Sequence, residues 1–274
     1  MSETPRSRAP APPGAAPVRA VTFDLWHTLL YLEPGDEDEY NRSQGALGLE
    51  TLQEAPVTGP ATLAPAEAVR RASQEAGDRS EQGESVSLSA QIERAAALAG
   101  RTVEPARYVG RIERLVASSP FRVAPGAQEV MADLAGRGVR IGVVANTVGE
   151  PGRALQRICE REGLGRFVDA WSWSDELPWT KPSPKIFLHC LGELGGTPPR
   201  AFHVGDAIWD IEGARRAGFA ASVLYTGLAR YGTHYRTVVM TKDPAAAGPD
   251  YTIHLLGELP ALVDRVLGPG STEK

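Results

Sequence analysis

The sequence predicts an α/β protein, a Rossmann-like parallel sheet with helices on both faces, carrying an inserted helical segment. Three observations predict it. From Pro125 onward apolar strand-like runs alternate with amphipathic helix-like runs, and that alternation gives parallel strands joined by crossover helices. One apolar run, residues 18–24, stands apart near the start and reads as a buried strand. Between the two lies a polar stretch, 34–120, rich in Ala, Glu and Arg, whose spacing is helical.

The elements follow in order. Within the polar stretch helical periodicity runs over 65–76, 88–100 and 105–118, with Ser89 placed to cap the second of these. Loop-like segments such as APVTGPATLAP and GDRSEQGESVS interrupt it. GAQEVMADLAGRG then reads as a helix ending in glycine, and VRIGVVAN as a strand. PGRALQRICEREGLG is a helix and FVDAWSWS a short strand. KPSPKIFLHCLGELG is a helix with prolines at its start. RAFHVGD, IWDIEGARRAG and FAASVLYTG give strand, helix and strand, and DYTIHLL with GELPALVDRVLG adds a last strand and helix. Residues 1–17, rich in Pro and Ala, and 269–274 are expected to be disordered tails.

Composition narrows the function. The chain has 274 residues, enough for one large domain or a domain with an insert. A net charge of −5 argues against nucleic acid or an anionic membrane as an obligatory partner. It leaves room for a small phosphorylated substrate, which needs only local positive charge. Two cysteines, Cys159 and Cys190, make neither a disulfide framework nor a zinc cluster, so a reducing compartment is expected. No apolar stretch has the length of a signal peptide core or a membrane span. A cytoplasmic protein is the expectation; its oligomeric state is not legible.

In a parallel sheet of this kind ligands bind beyond the carboxyl ends of the strands. Asp24 ends the first strand, Asn146 and Thr147 follow VRIGVVA, Asp206 ends RAFHVG, and Lys181 precedes its helix. Four stretches thereby converge on one crevice. Asp24, Asp206 and Asp210 brought together repel unless a cation neutralises them, and a hard divalent ion such as Mg²⁺ suits oxygen ligands. Lys181 adds positive charge, and Thr28 and Asn146 offer neutral donors. Such a set suits phosphoryl transfer through an aspartyl-phosphate.

FDLWHTL at 23–29, VVANT at 143–147, TKPSPKIF at 180–187 and HVGDAIWDIEGARRAG at 203–218, in that order, resemble the haloacid dehalogenase-like (HAD) hydrolases. The resemblance implies a core over 18–33 and 121–268 with 34–120 as a helical cap domain. It implies Asp24 as nucleophile and metal ligand, the backbone carbonyl of Trp26 as a second ligand, and Asp206 with Asp210 completing a Mg²⁺ site. Lys181 would stabilise the transferring group. Thr28, Asn146 and Thr147, with Trp26 and His27 beside the nucleophile, are the candidate substrate-binding residues.

The chain departs from the pattern in two places. Phosphatases of the family usually carry a second aspartate where Trp26 stands. Indole has no proton to exchange near neutral pH, and general acid–base catalysis is worth roughly 100- to 10,000-fold. His27, where glycine is usual, has a suitable pKa for that task. Ala145 occupies a position that usually holds Ser or Thr. An aromatic at Trp26 hints toward the metal-free dehalogenases, with Arg42 as a candidate carboxylate-binding arginine. Gly205, Asp206 and Ala207 match the metal-dependent branch instead. Hydrolysis of a small phosphate monoester is the leading expectation. Dehalogenase-like hydrolysis and a non-catalytic binding role are the alternatives. Trp171, Trp173 and Trp179 are expected to fill core or interface space, and His189, His203, His234 and His254 receive no role.

Overall fold

A computed structural model describes residues 18–229 and 243–268. The two tails and His234 lie outside the described residues. The first strand is β1 (Ala20–Phe23), and β2 (Leu30–Tyr31) pairs antiparallel with β3 (Arg122–Val123). Between β2 and β3 run four helices: α1 (Pro34–Glu54), α2 (Pro65–Glu81), α3 (Leu88–Leu98) and α4 (Pro105–Ser118). The alternating part follows with α5 (Ala127–Gly136), β4 (Arg140–Ala145), α6 (Gly152–Arg161), β5 (Ala170–Trp173) and α7 (Pro184–Glu193). It closes with β6 (Ala201–Gly205), α8 (Ile208–Arg216), β7 (Ala221–Tyr225), β8 (Tyr251–Ile253) and α9 (Leu259–Leu267).

Six strands form one parallel sheet in the order β5-β4-β1-β6-β7-β8. Its central strands are buried apart from Arg140 at the start of β4, as both faces are covered by helices. Val21, Phe23, Ile141, Val143, Phe202 and Val204 lie in the larger core cluster, and Ala20, Val144, Ile186, Phe187 and Cys190 in the smaller one. β1 sits between β4 and β6, so the three strands whose ends carry VVANT, Asp24 and Asp206 are adjacent. Among the described residues no helix is long and apolar enough to cross a membrane.

The four inserted helices pack on one another, with 65–76 extended to Glu81. Two details differ from the sequence reading. Ser87, not Ser89, caps α3: its Oγ accepts from Ala90 N at 3.2 Å. And α1 has no counterpart in the periodicity of the sequence. Its inward positions are Glu37, Tyr40, Gly48, Thr51 and Leu52, too polar to read as a hydrophobic stripe.

Candidate active site

The nucleophile candidate is set by the sheet itself. Asp24 N donates to Val204 O at 2.8 Å, which continues the β1–β6 ladder one residue past the strand. The carboxylate therefore emerges at the sheet's carboxyl edge, 6% exposed. Asp206 emerges from β6 beside it, 3% exposed, and Asp210 from the first turn of α8, fully buried. Ligand oxygens of the three carboxylates all lie within 4.8 Å of one another.

Gly205 makes this possible. A Cβ there would sit 2.3 Å from Asp210 Cγ, so only glycine lets the Asp210 side chain fold back against the strand end. Asp210 Oδ2 accepts from Ala207 N at 3.0 Å. Its Oδ1 accepts from Lys181 Nζ at 2.7 Å and lies 3.0 Å from His203 Nε2. Lys181 Nζ also donates to Asp24 Oδ1. Lys181 thus bridges two carboxylates from inside the protein, 1% exposed.

The charges explain the protonation behaviour. Burial raises the Asp24 pKa to about 7; Lys181 opposes this, while the charges of Asp210 and Asp206 add to it. For Asp210 burial acts the same way, but Lys181 and His203 outweigh it and hold the carboxyl below its usual range. Burial pulls Lys181 down, yet the charges of Asp210 and Asp24 win and raise it. Three carboxylates face one ammonium, so the cluster keeps excess negative charge. Its donors are all hard oxygens. Such a set fits a divalent cation of the Mg²⁺ kind, with Asp24, Asp206 and Asp210 as the side chains able to hold it.

His203, read without a role from the sequence, stands beneath the cluster. Its Nδ1 is 2.8 Å from Thr22 Oγ1 and its Nε2 faces Asp210. Burial lowers its pKa, and an ionised Asp210 can only accept, so the neutral ring donates from Nε2. Thr22, His203, Asp210, Lys181 and Asp24 form one hydrogen-bonded chain across β1, β6 and the lysine loop. The signal available in the sequence was His203 three residues before Asp206 on the same strand.

The second motif is used differently from expectation. Asn146 Nδ2 donates to Lys181 O at 3.1 Å, and Asn146 Oδ1 accepts from Lys181 N at 2.8 Å. Its amide holds the lysine loop. Thr147 is engaged too: its Oγ1 donates to Asp175 Oδ1 at 2.5 Å and accepts from Asp175 N at 3.0 Å. It therefore does not supply the hydroxyl missing at Ala145, because its own is committed. Thr28, within FDLWHTL, is fully buried, and its Oγ1 has no hydrogen-bond partner.

Trp26 and His27 point into the seam between the sheet and the inserted helices. Trp26 Nε1 donates to Glu150 Oε1 at 2.6 Å, and its ring packs on Tyr40 and Phe121 at centroid separations of 5.9 and 5.2 Å. The ring, a candidate substrate contact from the sequence, packs between core and insert. His27 has φ 55°, the single positive φ outside glycine among the described residues, which explains why glycine is usual there. Its Nε2 lies 3.5 Å from Glu37 Oε1 of α1. Burial would lower the His27 pKa, but Glu37 and the charges of Asp206 and Asp24 outweigh it and raise it. Glu37 and Glu150, both buried, are the site-edge residues that sequence reasoning missed. Arg42 does not approach the crevice: its side chain is 67% exposed and pairs with Glu39.

A family model described as haloacid dehalogenase-like hydrolase matches residues 18–218, and a second, HAD-hydrolase-like, matches 178–259. The chain belongs to the haloacid dehalogenase-like hydrolases. It is a hydrolase, as the sequence motifs implied. A phosphoglycolate phosphatase of Rhodospirillum rubrum is 31% identical over 213 residues, covering 77% of this chain and 81% of the relative. Among solved structures, a 2-haloacid dehalogenase of Pseudomonas syringae superposes with a TM-score of 0.61 at 23% identity, covering 90% of this chain and 99% of the other. A HAD-hydrolase of Bacillus subtilis bound to magnesium does so with a TM-score of 0.54 at 18% identity, covering 91% and 100%. These two likenesses bear on the fold of this HAD hydrolase.

Proposed function

We propose that this HAD hydrolase cleaves a small phosphate monoester through an aspartyl-phosphate at Asp24, with Mg²⁺ as cofactor. The observation that carries it is the buried cluster of Asp24, Asp206, Asp210 and Lys181 at the edge of the sheet. The R. rubrum relative, a phosphatase, supports it. So does the surface position of Arg42, which removes the dehalogenase-like carboxylate clamp. Residues 34–120 act as the cap over the 18–33 and 121–268 core.

Asp24, Asp206 and Asp210, with the Trp26 carbonyl, would hold Mg²⁺. When bound, the ion would supply positive charge that favours the ionised form of Asp24 and offsets the charge of the transferring group. Asp24 attacks phosphorus, and the bond from phosphorus to the alcohol oxygen breaks. Lys181 stabilises the charge on the transferring group, held in place by Asp210 and Asn146. The departing oxygen takes a proton from His27. Water then attacks the aspartyl-phosphate and gives its proton back to His27, releasing phosphate and restoring Asp24. Trp26 takes no part through its indole, which is bonded to Glu150.

The test is the time course of aryl alcohol and phosphate release from an aryl phosphate, with and without Mg²⁺. A steady, Mg²⁺-dependent release of both products is expected, with Asp24→Asn reducing it at least about 1,000-fold. Release independent of both Mg²⁺ and Asp24 would overturn the reading. A burst of aryl alcohol without phosphate would keep Asp24 as nucleophile and remove His27 as the group that activates water.

A further inference from the structure

Helix α1 turns a polar face toward the nucleophile loop. Glu37, Tyr40 and Gln44 lie at i, i+3 and i+7, on one side of the helix. Each meets a different part of the core. Glu37 Oε1 is 3.5 Å from His27 Nε2, the Tyr40 ring packs on Trp26, and Gln44 Nε2 donates to Gly149 O at 3.0 Å and to Glu150 Oε2 at 3.2 Å. His27 and Trp26 stand three and two residues after Asp24, and the charges of Asp206 and Asp24 act on the His27 ring. In the phosphatase reading above His27 protonates the departing oxygen, so Glu37, 3.5 Å from that ring, stands beside the leaving group.

Glu37 is 5% exposed, and its second oxygen, Oε2, is buried with no hydrogen-bond partner. A buried carboxylate oxygen without a donor is costly, and such an atom in a native structure calls for an explanation. The partner it calls for is an O–H or N–H. A carboxylate placed there would meet a like charge instead. Among the described residues no arginine of the insert is buried.

We propose that Glu37 selects the substrate by its leaving group: the HAD hydrolase takes phosphate esters of alcohols that carry hydroxyl or ammonium donors, and discriminates against carboxylate-bearing esters such as phosphoglycolate. This rests on the phosphatase reading above and names its substrate class. Glu37 accepts a hydrogen bond from the leaving group through Oε2, while Oε1 stays with His27.

Three esters on one two-carbon frame test this: 2-hydroxyethyl phosphate, 2-aminoethyl phosphate and phosphoglycolate, with an aryl phosphate as reference. The hydroxyl and ammonium esters are expected to exceed phosphoglycolate in kcat/KM by about tenfold or more. In Glu37→Gln that ratio should fall at least about threefold, most for the ammonium ester, because glutamine removes the charge. A purely structural Glu37 would lower all three rates by one common factor and leave the ratio unmoved, which would overturn the proposal. So would phosphoglycolate as the best of the three in the unmutated protein. Affinities of the same esters for Asp24→Asn, measured by calorimetry with Mg²⁺, read recognition without turnover. If no ester and no aryl phosphate is hydrolysed, the phosphatase reading fails, and the order of affinities still decides this one.

Discussion

Replacing Glu150 by glutamine should stabilise the protein at alkaline pH and leave it nearly unchanged at pH 5. Glu150 is 8% exposed, and burial pushes its carboxyl up to about 7 from 4.5, against the pull of hydrogen bonds from Trp26 and Gln44. Between those values the folded chain keeps a proton that the unfolded chain has released. Stability therefore falls as pH rises through this window, and the loss is complete above it. At about 1.4 kcal/mol per pH unit the window amounts to about 3 kcal/mol. Glutamine never ionises, so it escapes the loss. It still accepts from Trp26 Nε1, now 2.6 Å from Glu150 Oε1, but it turns an amide toward Gln44 and gives up a hydrogen bond of about 1 kcal/mol. The expected gain is about 2 kcal/mol at pH 8.5, and close to zero at pH 5, where little of the window has been entered. Urea unfolding followed by tryptophan fluorescence at the two pH values, in a metal chelator, measures it. An equal difference at both pH values, or a variant less stable at pH 8.5, would refute the account of Glu150 as a buried carboxyl that anchors Trp26.

Other outcomes follow from the same geometry. Lys181→Met removes the one ammonium from three buried carboxylates; kcat on an aryl phosphate should fall about 100- to 1,000-fold. Its folded state should lose about 3 to 5 kcal/mol at pH 8 by urea unfolding, with part of that recovered at pH 5 as carboxyls take up protons. His203→Ala frees Asp210 from its orienting partner, so the Mg²⁺ concentration for half-maximal activity should rise about 10- to 100-fold, read from Mg²⁺ titrations of rate. In single-turnover alcohol release, which reads the first step alone, His27→Gln should slow an alkyl phosphate by about 100-fold or more and an aryl phosphate far less, because a good leaving group needs little protonation. Equal losses on both substrates would remove His27 from proton transfer.

The fold and the heart of the site were legible because both depend on local order along the chain. Alternating strand and helix patterns imply a parallel sheet, and a parallel sheet gathers its strand ends at one edge. Asp24, Asp206, Asp210 and Lys181 could be placed there from pattern alone. The edges of the site were not legible for a related reason. Helix α1 turns Glu37, Tyr40 and Gln44 toward the core, so it lacks the apolar stripe by which a helix is recognised. Ser89 and Ser87 are both plausible caps two positions apart, and only the backbone at 87 has the extended shape a cap needs.

By itself, then, the sequence determined the alternation of strands and helices, the three carboxylates with the lysine among them, and the tryptophan at 26 where the family usually has aspartate. Tertiary structure decided what each neighbouring polar group does. Asn146 reaches 35 residues along the chain to hold Lys181, Trp26 reaches 124 to Glu150, and Thr147 is taken by Asp175. His203 became a positioning residue because Asp210 folds back over Gly205 to meet it. The physical reason is range. Periodicity and capping act within a few residues, and so are written locally. Hydrogen-bond partners and burial, which set the charge of every group in this crevice, are fixed only when distant segments pack together.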